Sequence, residues 1–254
     1  TTTAYGPRLL APLLPVLREV VKEPSELKLV EQLAGWKGDY PVESIPATLF
    51  NQLLYDLTDA AFRPKLGDDM FKTLITTRVV DAALPRLAAA ADSPWWNGQR
   101  AETVKRAWDK SLAHLKTTFG DDPAQWQWGK AHTLTHGHPL GIKKPLDQIV
   151  NVGPFASPGS HEVPNNLSAI IGPAPWPVTY GPSTRRLVDF ADAAHALTIN
   201  PVGQSGVPFD KHDADKAETY IEGGYEQAHF DEEEVQANTR GTLKLLPARP
   251  PQQP

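Results

Sequence analysis

The sequence predicts an α+β protein with a helical first half and a strand-rich second half. Over about the first 120 residues, apolar side chains recur at helical spacing between prolines, and after Trp126 short β-branched and aromatic segments alternate with Pro/Gly turns. Helices followed by strands favour an α+β architecture over a repeated strand–helix–strand order. We therefore expect a mostly helical segment at 1–125 and a strand-rich segment at 126–254, within one structural unit.

Three helices are predicted in the first segment. The first spans 49–61, with leucines and an alanine on one face. Pro64 is expected to end it, because proline lacks the N–H that helical pairing needs. The second spans 70–83, and Pro85 should stop or kink it. The third spans 101–119, has one apolar face, and is broken by the Gly-Asp-Asp-Pro turn that follows it.

Six short strands and two further helices are predicted after Trp126. The strands are expected at 131–135, 149–152, 167–171, 186–190, 195–199 and 242–246. The helices are expected at 211–222 and 232–239. An acidic run, 231–234, opens the second of these helices, where the helix dipole favours carboxylates. A calcium site is the alternative, but the run lacks the spaced oxygen ligands of a calcium loop.

The composition limits the function more than it defines it. The chain has 254 residues and a net charge of −5, which argues against a nucleic-acid partner because phosphate binding needs excess Lys and Arg. No apolar run approaches the length of a membrane span. No signal peptide is visible, but an internal fragment of an exported precursor would not carry one, so this absence is uninformative. The chain has no cysteine, which excludes disulfides, thiolate metal sites and a cysteine nucleophile.

Three histidines lie close together in the sequence. On an extended strand, His132, His136 and His138 would share one face, which is the kind of arrangement that binds zinc. No adjacent carboxylate completes such a ligand set. The alternative is a strand and turn whose histidines are buried with hydrogen-bond partners or solvated, and no metal site is predicted in this chain.

Two hydroxyl residues are candidate nucleophiles. Ser205 lies in a Gly-Gln-Ser-Gly turn, but a nucleophile elbow also needs a glycine two residues after the serine, where this chain has Val207. Ser205 is therefore expected to be structural. Thr1 would have its own α-amine as a base if it were a free N-terminus. The alternative is that Thr1 is only where this sequence starts.

The segment from Asn200 to Gly224 carries the most specific signal. A strand-like run meets the Gly-Gln-Ser-Gly turn, which is followed by Asp-Lys-His and a helix. This segment resembles the closing part of the large chain of penicillin acylase-type amidohydrolases, which are N-terminal-nucleophile enzymes. In that family the large chain begins Ser-Asn-x-Trp, whereas this chain begins with three threonines. The resemblance therefore implies that the nucleophile lies outside this chain.

The resemblance also implies a fold, a reaction and a setting. The fold would be a four-layer αββα sandwich whose central sheets are shared with a partner chain carrying the N-terminal serine. The reaction would be hydrolysis of N-acyl amides such as penicillins or N-acyl homoserine lactones. The isolated chain would be inactive and would serve as scaffold. The complete enzyme would be periplasmic or secreted, and calcium would bind it through residues outside this chain.

One polar turn is the candidate for a supporting catalytic role. Between Gly159 and Asn166 it brings together a hydroxyl, an imidazole, a carboxylate and two amides. Related acylases have a Gly-x-x-Glu turn before a central strand, and in some members its glutamate supports the active site without touching the substrate. The resemblance gives Glu162 this position. The alternative is a turn whose polar residues satisfy its own backbone.

The resemblance leaves two further points open. A Trp-Gly-Lys-x-His segment followed by His-Pro-Leu-Gly is similar to acylase sequence, which favours a structural role for the histidines at 132–138. The tryptophans would line an acyl pocket or, as is more common, fill a core; they are Trp95, Trp96, Trp126, Trp128 and Trp176. A stand-alone, non-catalytic α+β binding or structural domain is the alternative to an acylase part.

Overall fold

The computed structural model describes residues 2–77 and 79–246. Helices dominate the part before residue 125. They are α1 (Tyr5–Leu10), α2 (Leu14–Val20), α3 (Pro24–Gly35), α4 (Ile45–Ile75), α5 (Val79–Ala89) and α6 (Arg100–Phe119). Among the described residues, no helix combines the length and hydropathy needed to cross a bilayer.

Helix α4 runs through the proline that was expected to end it. The helix begins at Ile45, before the predicted start at 49, and the Ser44 hydroxyl caps it by accepting a hydrogen bond from the Ala47 N–H at 3.2 Å. The helix continues past Pro64 and kinks at Gly67, which has φ 75° and ψ 171°. The prediction at Pro64 was therefore wrong. Burial of the preceding turn, which includes Phe62, offsets the hydrogen bond lost at the proline, and glycine tolerates the left-handed φ.

The predicted helix at 70–83 is two helical pieces. Helix α4 ends at Ile75 and α5 begins at Val79, and Pro85 lies inside α5 without ending it. Leu84, Pro85 and Leu87 are buried, so packing again outweighs the missing N–H. The third predicted helix is confirmed by α6. Its buried face includes Val104, Trp108, Leu112 and Leu115, as its periodicity requires.

The strand-rich part forms two small antiparallel sheets. Strand β1 (Thr133–His136), which follows the short helix α7 (Trp128–Ala131), pairs with β2 (Val152–Ala156), with Thr133 opposite Ala156 and an irregularity between Leu134 and His136. Strands β3 (Arg185–Leu187), β4 (Leu197–Ile199) and β5 (Glu226–Gln227) form a second sheet in that order. The structure is therefore a mixture of helices and small antiparallel sheets.

Several predicted strands and helices differ from the structure. Two of the four residues expected as a strand at 149–152 lie in helix α8 (Asp147–Val150), Val152 begins strand β2, and 167–171 contains only a single bridge from Ser168 to Tyr180. Residues 242–246 form no strand. The helix expected at 211–222 is confined to α9 (Ala217–Ile221), whereas α10 (Glu232–Asn238) confirms the last predicted helix. In the described part of the chain, 169–171 and 242–246 have strand-like composition but no neighbouring strand to pair with.

The tryptophans belong to the core, which joins the two halves. Trp96, Trp126, Trp128 and Trp176 are buried, and each donates its indole N–H to a backbone carbonyl at 2.7–2.9 Å. Trp128 stacks on Trp176 with ring centroids 5.5 Å apart. Trp95 is partly buried against Phe62. A smaller apolar cluster under the strands contains Leu134, Leu167, Ile199 and Tyr220.

Candidate functional site

The polar turn that contains Glu162 is anchored to the helical half. The Gly159 N–H donates to the Tyr40 carbonyl at 3.0 Å, and the Gly159 carbonyl accepts the Trp128 indole N–H at 2.9 Å. Gly159 has φ 87°, and a Cβ there would lie 2.3 Å from the Asn165 carbonyl oxygen. Glycine is therefore required for the turn to close, and this closure places His161 and Glu162 against helix α5.

His161 lies between two carboxylates. Its Nε2 is 2.8 Å from Glu162 Oε1 and 3.1 Å from Asp81 Oδ2. The His161 and Asp81 side chains are 11% and 15% exposed, whereas Glu162 is 37% exposed. An N–H at Nε2 can donate to the carboxylate oxygens of both Glu162 and Asp81. Glu162 thus binds an imidazole, rather than only capping its own turn.

The same three side chains have the donor set of a metal site. One ligand atom from each of Asp81, His161 and Glu162 lies within 4.8 Å of the others. Carboxylate oxygens with one imidazole nitrogen suit a divalent transition metal. A proton shared by His161 and the carboxylates accounts for the same distances without an ion. The cluster is therefore a charged site that holds either a proton or a cation.

Two tyrosines border this cluster and remain neutral. Burial raises the pKa of Tyr5 far above its usual value, and the charges of Asp81 and Glu162 act in the same direction. The Tyr5 hydroxyl is buried and has no hydrogen-bond partner in the described part of the chain. Burial also raises the pKa of Tyr40 strongly, against the opposing effect of hydrogen bonds from Asn51 and Ser160. Both phenols therefore keep their protons near neutral pH.

A cavity lies on the other side of the same turn. Its volume is about 500 Å³, and its lining includes Tyr40, Gly159, Asn165, Arg185 and Tyr225. The Arg185 guanidinium lies over the ring of Tyr225 at 5.3 Å and lines the cavity wall. Neither carboxylate of the charged cluster lines this space. The cavity and the cluster are thus separate features that share one turn.

The three neighbouring histidines do not converge. His132 is buried, with Nδ1 2.9 Å from the Ser157 carbonyl and Nε2 3.0 Å from the Leu167 carbonyl. His138 Nδ1 accepts from the Leu140 N–H at 3.1 Å. His136 lies beside the Tyr220 ring, and burial lowers the pKa of its imidazole. Within residues 2–77 and 79–246, these histidines form no common metal site.

The remaining candidates are placed as follows. The Ser205 hydroxyl accepts from the Val207 N–H at 3.3 Å, as in a self-satisfied turn. Thr1 lies outside the described residues. Asp231 caps α10 by accepting from the Glu233 N–H at 2.9 Å, so the acidic run forms the first turn of a helix as expected.

Sequence reasoning missed Asp81, Tyr5 and Tyr40. Asp81 follows a common pattern, an acidic residue in the first turn of a helix, and is 80 positions from His161. No spacing rule connects residues so far apart. The tyrosines have no distinguishing sequence signal either, because only burial and their neighbours set them apart.

Comparison with known proteins identifies the family. The sequence model described as penicillin amidase matches residues 1–237. The chain belongs to the penicillin amidase family. This confirms the resemblance found at Asn200–Gly224, and the match extends over nearly the whole chain.

Curated relatives in this family are longer than the chain. It is 26% identical over 250 residues to the acyl-homoserine lactone acylase QuiP of Pseudomonas aeruginosa, covering 86% of this chain and 29% of that protein. It is 24% identical to QuiP of Pseudomonas fluorescens strain Pf-5, covering 76% of this chain and 24% of that protein. The chain thus spans about a quarter of the length of these relatives.

A solved acylase shares the fold. A thermostable penicillin G acylase from Alcaligenes faecalis superposes with a TM-score of 0.55 and 16% identity, covering 99% of this chain and 48% of that chain. At this identity the similarity describes the fold alone. The mixture of helices and small sheets seen here is therefore an arrangement found within a penicillin acylase.

Proposed function

We propose that this chain is the C-terminal part of the large chain of an amidohydrolase that cleaves N-acyl amide bonds. The observation that carries the proposal is the family match over residues 1–237. The substrates would be penicillins or N-acyl homoserine lactones. Relatives named acyl-homoserine lactone acylase and a structural neighbour named penicillin G acylase support these two classes.

In this proposal the chain is scaffold and the nucleophile lies elsewhere in the enzyme. An N-terminal serine would attack the amide carbonyl, its own α-amine would act as base, and backbone and Asn donors would hold the oxyanion. The turn geometry of Ser205 supports a structural role for it, because its hydroxyl is engaged with Val207. The nucleophile, the base and the oxyanion donors are not assigned to any residue of this chain.

The proposal includes a partner chain and an exported enzyme. The two small sheets would extend larger sheets of a four-layer αββα sandwich completed by the chain that carries the serine. Sheets of two and three strands with exposed edges support this arrangement. Calcium would bind the complete enzyme outside this segment, and the enzyme would act in the periplasm or outside the cell.

The test compares the isolated chain with the complete enzyme. Both are assayed against phenylacetyl and phenoxyacetyl amides and long-chain acyl homoserine lactones. We expect turnover by the complete enzyme and none by the isolated chain. Turnover by the isolated chain that disappears when the Thr1 amine is blocked would identify Thr1 as the nucleophile and contradict the proposal.

We further propose that Glu162 supports the active site through His161. The 2.8 Å contact between the Glu162 carboxylate and His161 Nε2 supports this role, because the carboxylate orients the imidazole ring. In the complete enzyme, Glu162→Gln is expected to lower kcat about tenfold, with KM and melting temperature nearly unchanged.

A matched control separates this role from a structural one. Glu222 is exposed, and Glu222→Gln removes a charge without touching the cluster, so its kcat should equal that of the wild type. Wild-type activity of Glu162→Gln would leave Glu162 as a turn residue. A parallel loss of melting temperature and activity would assign it a purely structural hydrogen bond.

A further inference from the structure

The two halves of the chain differ sharply in how well their apolar side chains are covered. In the described residues before 125, the exposed large hydrophobic side chains are Met70 and Val79. In the described part of the strand-rich segment, 17 large hydrophobic side chains are exposed. Large exposed apolar patches on a folded protein mark interaction surfaces. The helical half therefore buries its apolar surface within the chain, and the strand-rich half leaves much of its own uncovered.

The three-stranded sheet shows where the cover is missing. Ile199 pairs with Arg185 and is 1% exposed, because it packs on the cluster that includes Tyr220. Two residues earlier on the same strand, Leu197 pairs with Leu187, and these side chains are 39% and 52% exposed. Alternate residues of a strand share one face. The apolar face that is buried at Ile199 is therefore exposed at Leu197 and Leu187.

Two exposed phenylalanines follow the edge strands in the sequence. Phe190 follows Leu187 by three residues and is 94% exposed, and Phe230 follows Gln227, which pairs with Leu197, by three residues and is 68% exposed. Both edge strands therefore end beside the exposed leucine pair. Strands β3 and β5 are the two edges of this sheet among the described residues, so their outer backbone groups have no strand partner there.

We propose that this surface, formed by Leu187, Val188, Phe190, Leu197 and Phe230, is where the rest of the same enzyme docks. The inference rests on the proposed function, in which this chain is one part of a longer acylase. The occupant is the polypeptide that corresponds to the other three quarters of the curated relatives, contributing an apolar strand or helix over the leucine pair. Such a partner is present once per copy of this chain and covers both the face and the sheet edges.

The absence of cysteine from this chain allows a direct test. In the complete enzyme, Phe190→Cys introduces a thiol on the proposed surface, and Met70→Cys introduces a control thiol on α4 at a side chain that is 60% exposed. Maleimide labelling is read at each site by mass spectrometry. We expect labelling of Phe190→Cys to be slower than that of Met70→Cys by about tenfold or more, and equally fast after unfolding.

A second measurement covers the case in which Phe190→Cys does not assemble. Carbene footprinting of the unsubstituted complete enzyme should show protection at 187–190 and full modification around Met70. Equal labelling or modification at the two sites would overturn the proposal. Protection that also appears in the isolated chain at high concentration, and is lost there on dilution, would overturn it in favour of a second copy of the chain. Because amide hydrolysis is assayed separately, an inactive enzyme with a protected surface would contradict the proposed function and leave the docking surface standing.

Discussion

His132 is the residue whose replacement tests the core geometry most directly. Its ring stacks on Trp128 with centroids 4.6 Å apart, and its two nitrogens face the carbonyls of Ser157 and Leu167. A neutral imidazole has one N–H and donates to one of these carbonyls, so His132→Ala leaves that buried carbonyl without its hydrogen bond. The side chain thus ties β1 to two segments that are distant in sequence.

The expected loss of stability follows from these contacts. Each unsatisfied buried carbonyl costs about 1–3 kcal/mol, and loss of the ring stack adds about 0.5–1.5 kcal/mol. The lower end applies to both terms, because the vacated space lets water reach the carbonyl, and the total is about 1.5 kcal/mol. Urea unfolding of the complete enzyme measures it. His212→Ala, at an exposed ring paired with Asp215, is the control and should change little.

The same residue predicts a pH dependence. Burial lowers the pKa of His132 from its ordinary value of 6.5, although its two carbonyl contacts act in the opposite direction. Between pH 6.5 and the lower pKa of the folded state, His132 is protonated in the unfolded chain and neutral in the folded chain. Stability is therefore fully present above pH 6.5 and falls as the pH drops through this window, by at most about 1.4 kcal/mol per pH unit.

His132→Ala should flatten that decline without abolishing it, because burial also lowers the pKa of His136. The reasoning is refuted if His132→Ala loses less than about 1 kcal/mol, since one unsatisfied carbonyl alone costs that much. It is also refuted if the variant and the wild type lose stability in parallel between pH 6.5 and 5.

Two further substitutions test packing elsewhere. Gln52 is buried, donates to Asp56 Oδ2 at 2.7 Å and accepts from the Ala174 N–H at 2.9 Å. Gln52→Ala should therefore lower the free energy of unfolding by about 2–4 kcal/mol in a urea titration. An unchanged midpoint would show that these bonds contribute no net stability. A Cβ on Gly129 would approach neighbouring Cβ atoms at 2.8 and 3.0 Å, whereas a Cβ on Gly137 meets open space. Gly129→Ala should therefore lower the free energy of unfolding by about 1–3 kcal/mol and Gly137→Ala by much less. Equal melting temperatures of the two variants would contradict this.

Local patterns were reliable where one face of a long element is buried. Helix α6 was predicted almost to the residue, because its apolar positions recur with the period of a helix and Gly120, with φ 95°, ends it. The closing segment from Asn200 likewise identified the family. In both cases the information lies in residues that are neighbours along the chain.

Local patterns were unreliable where a segment needed a distant partner. The apolar run at 149–152 reads as a strand, yet Ile149 and Val150 form the end of helix α8, and the strand that pairs with β1 begins at Val152. The run at 242–246 has similar composition and pairs with nothing in the described part of the chain. Strand propensity measures how well side chains fit a half-buried sheet, so it cannot say whether a sheet is there.

The sequence by itself determined the family, and it predicted helices before residue 125, antiparallel strands after Trp126 and the polar turn around Glu162. Only the tertiary structure placed Asp81 beside His161, separated the histidines at 132–138 and carried α4 through Pro64. The reason is physical. Helix periodicity and turn chemistry depend on residues a few positions apart, whereas charge clusters and tolerance of a helical proline depend on burial by residues tens of positions away.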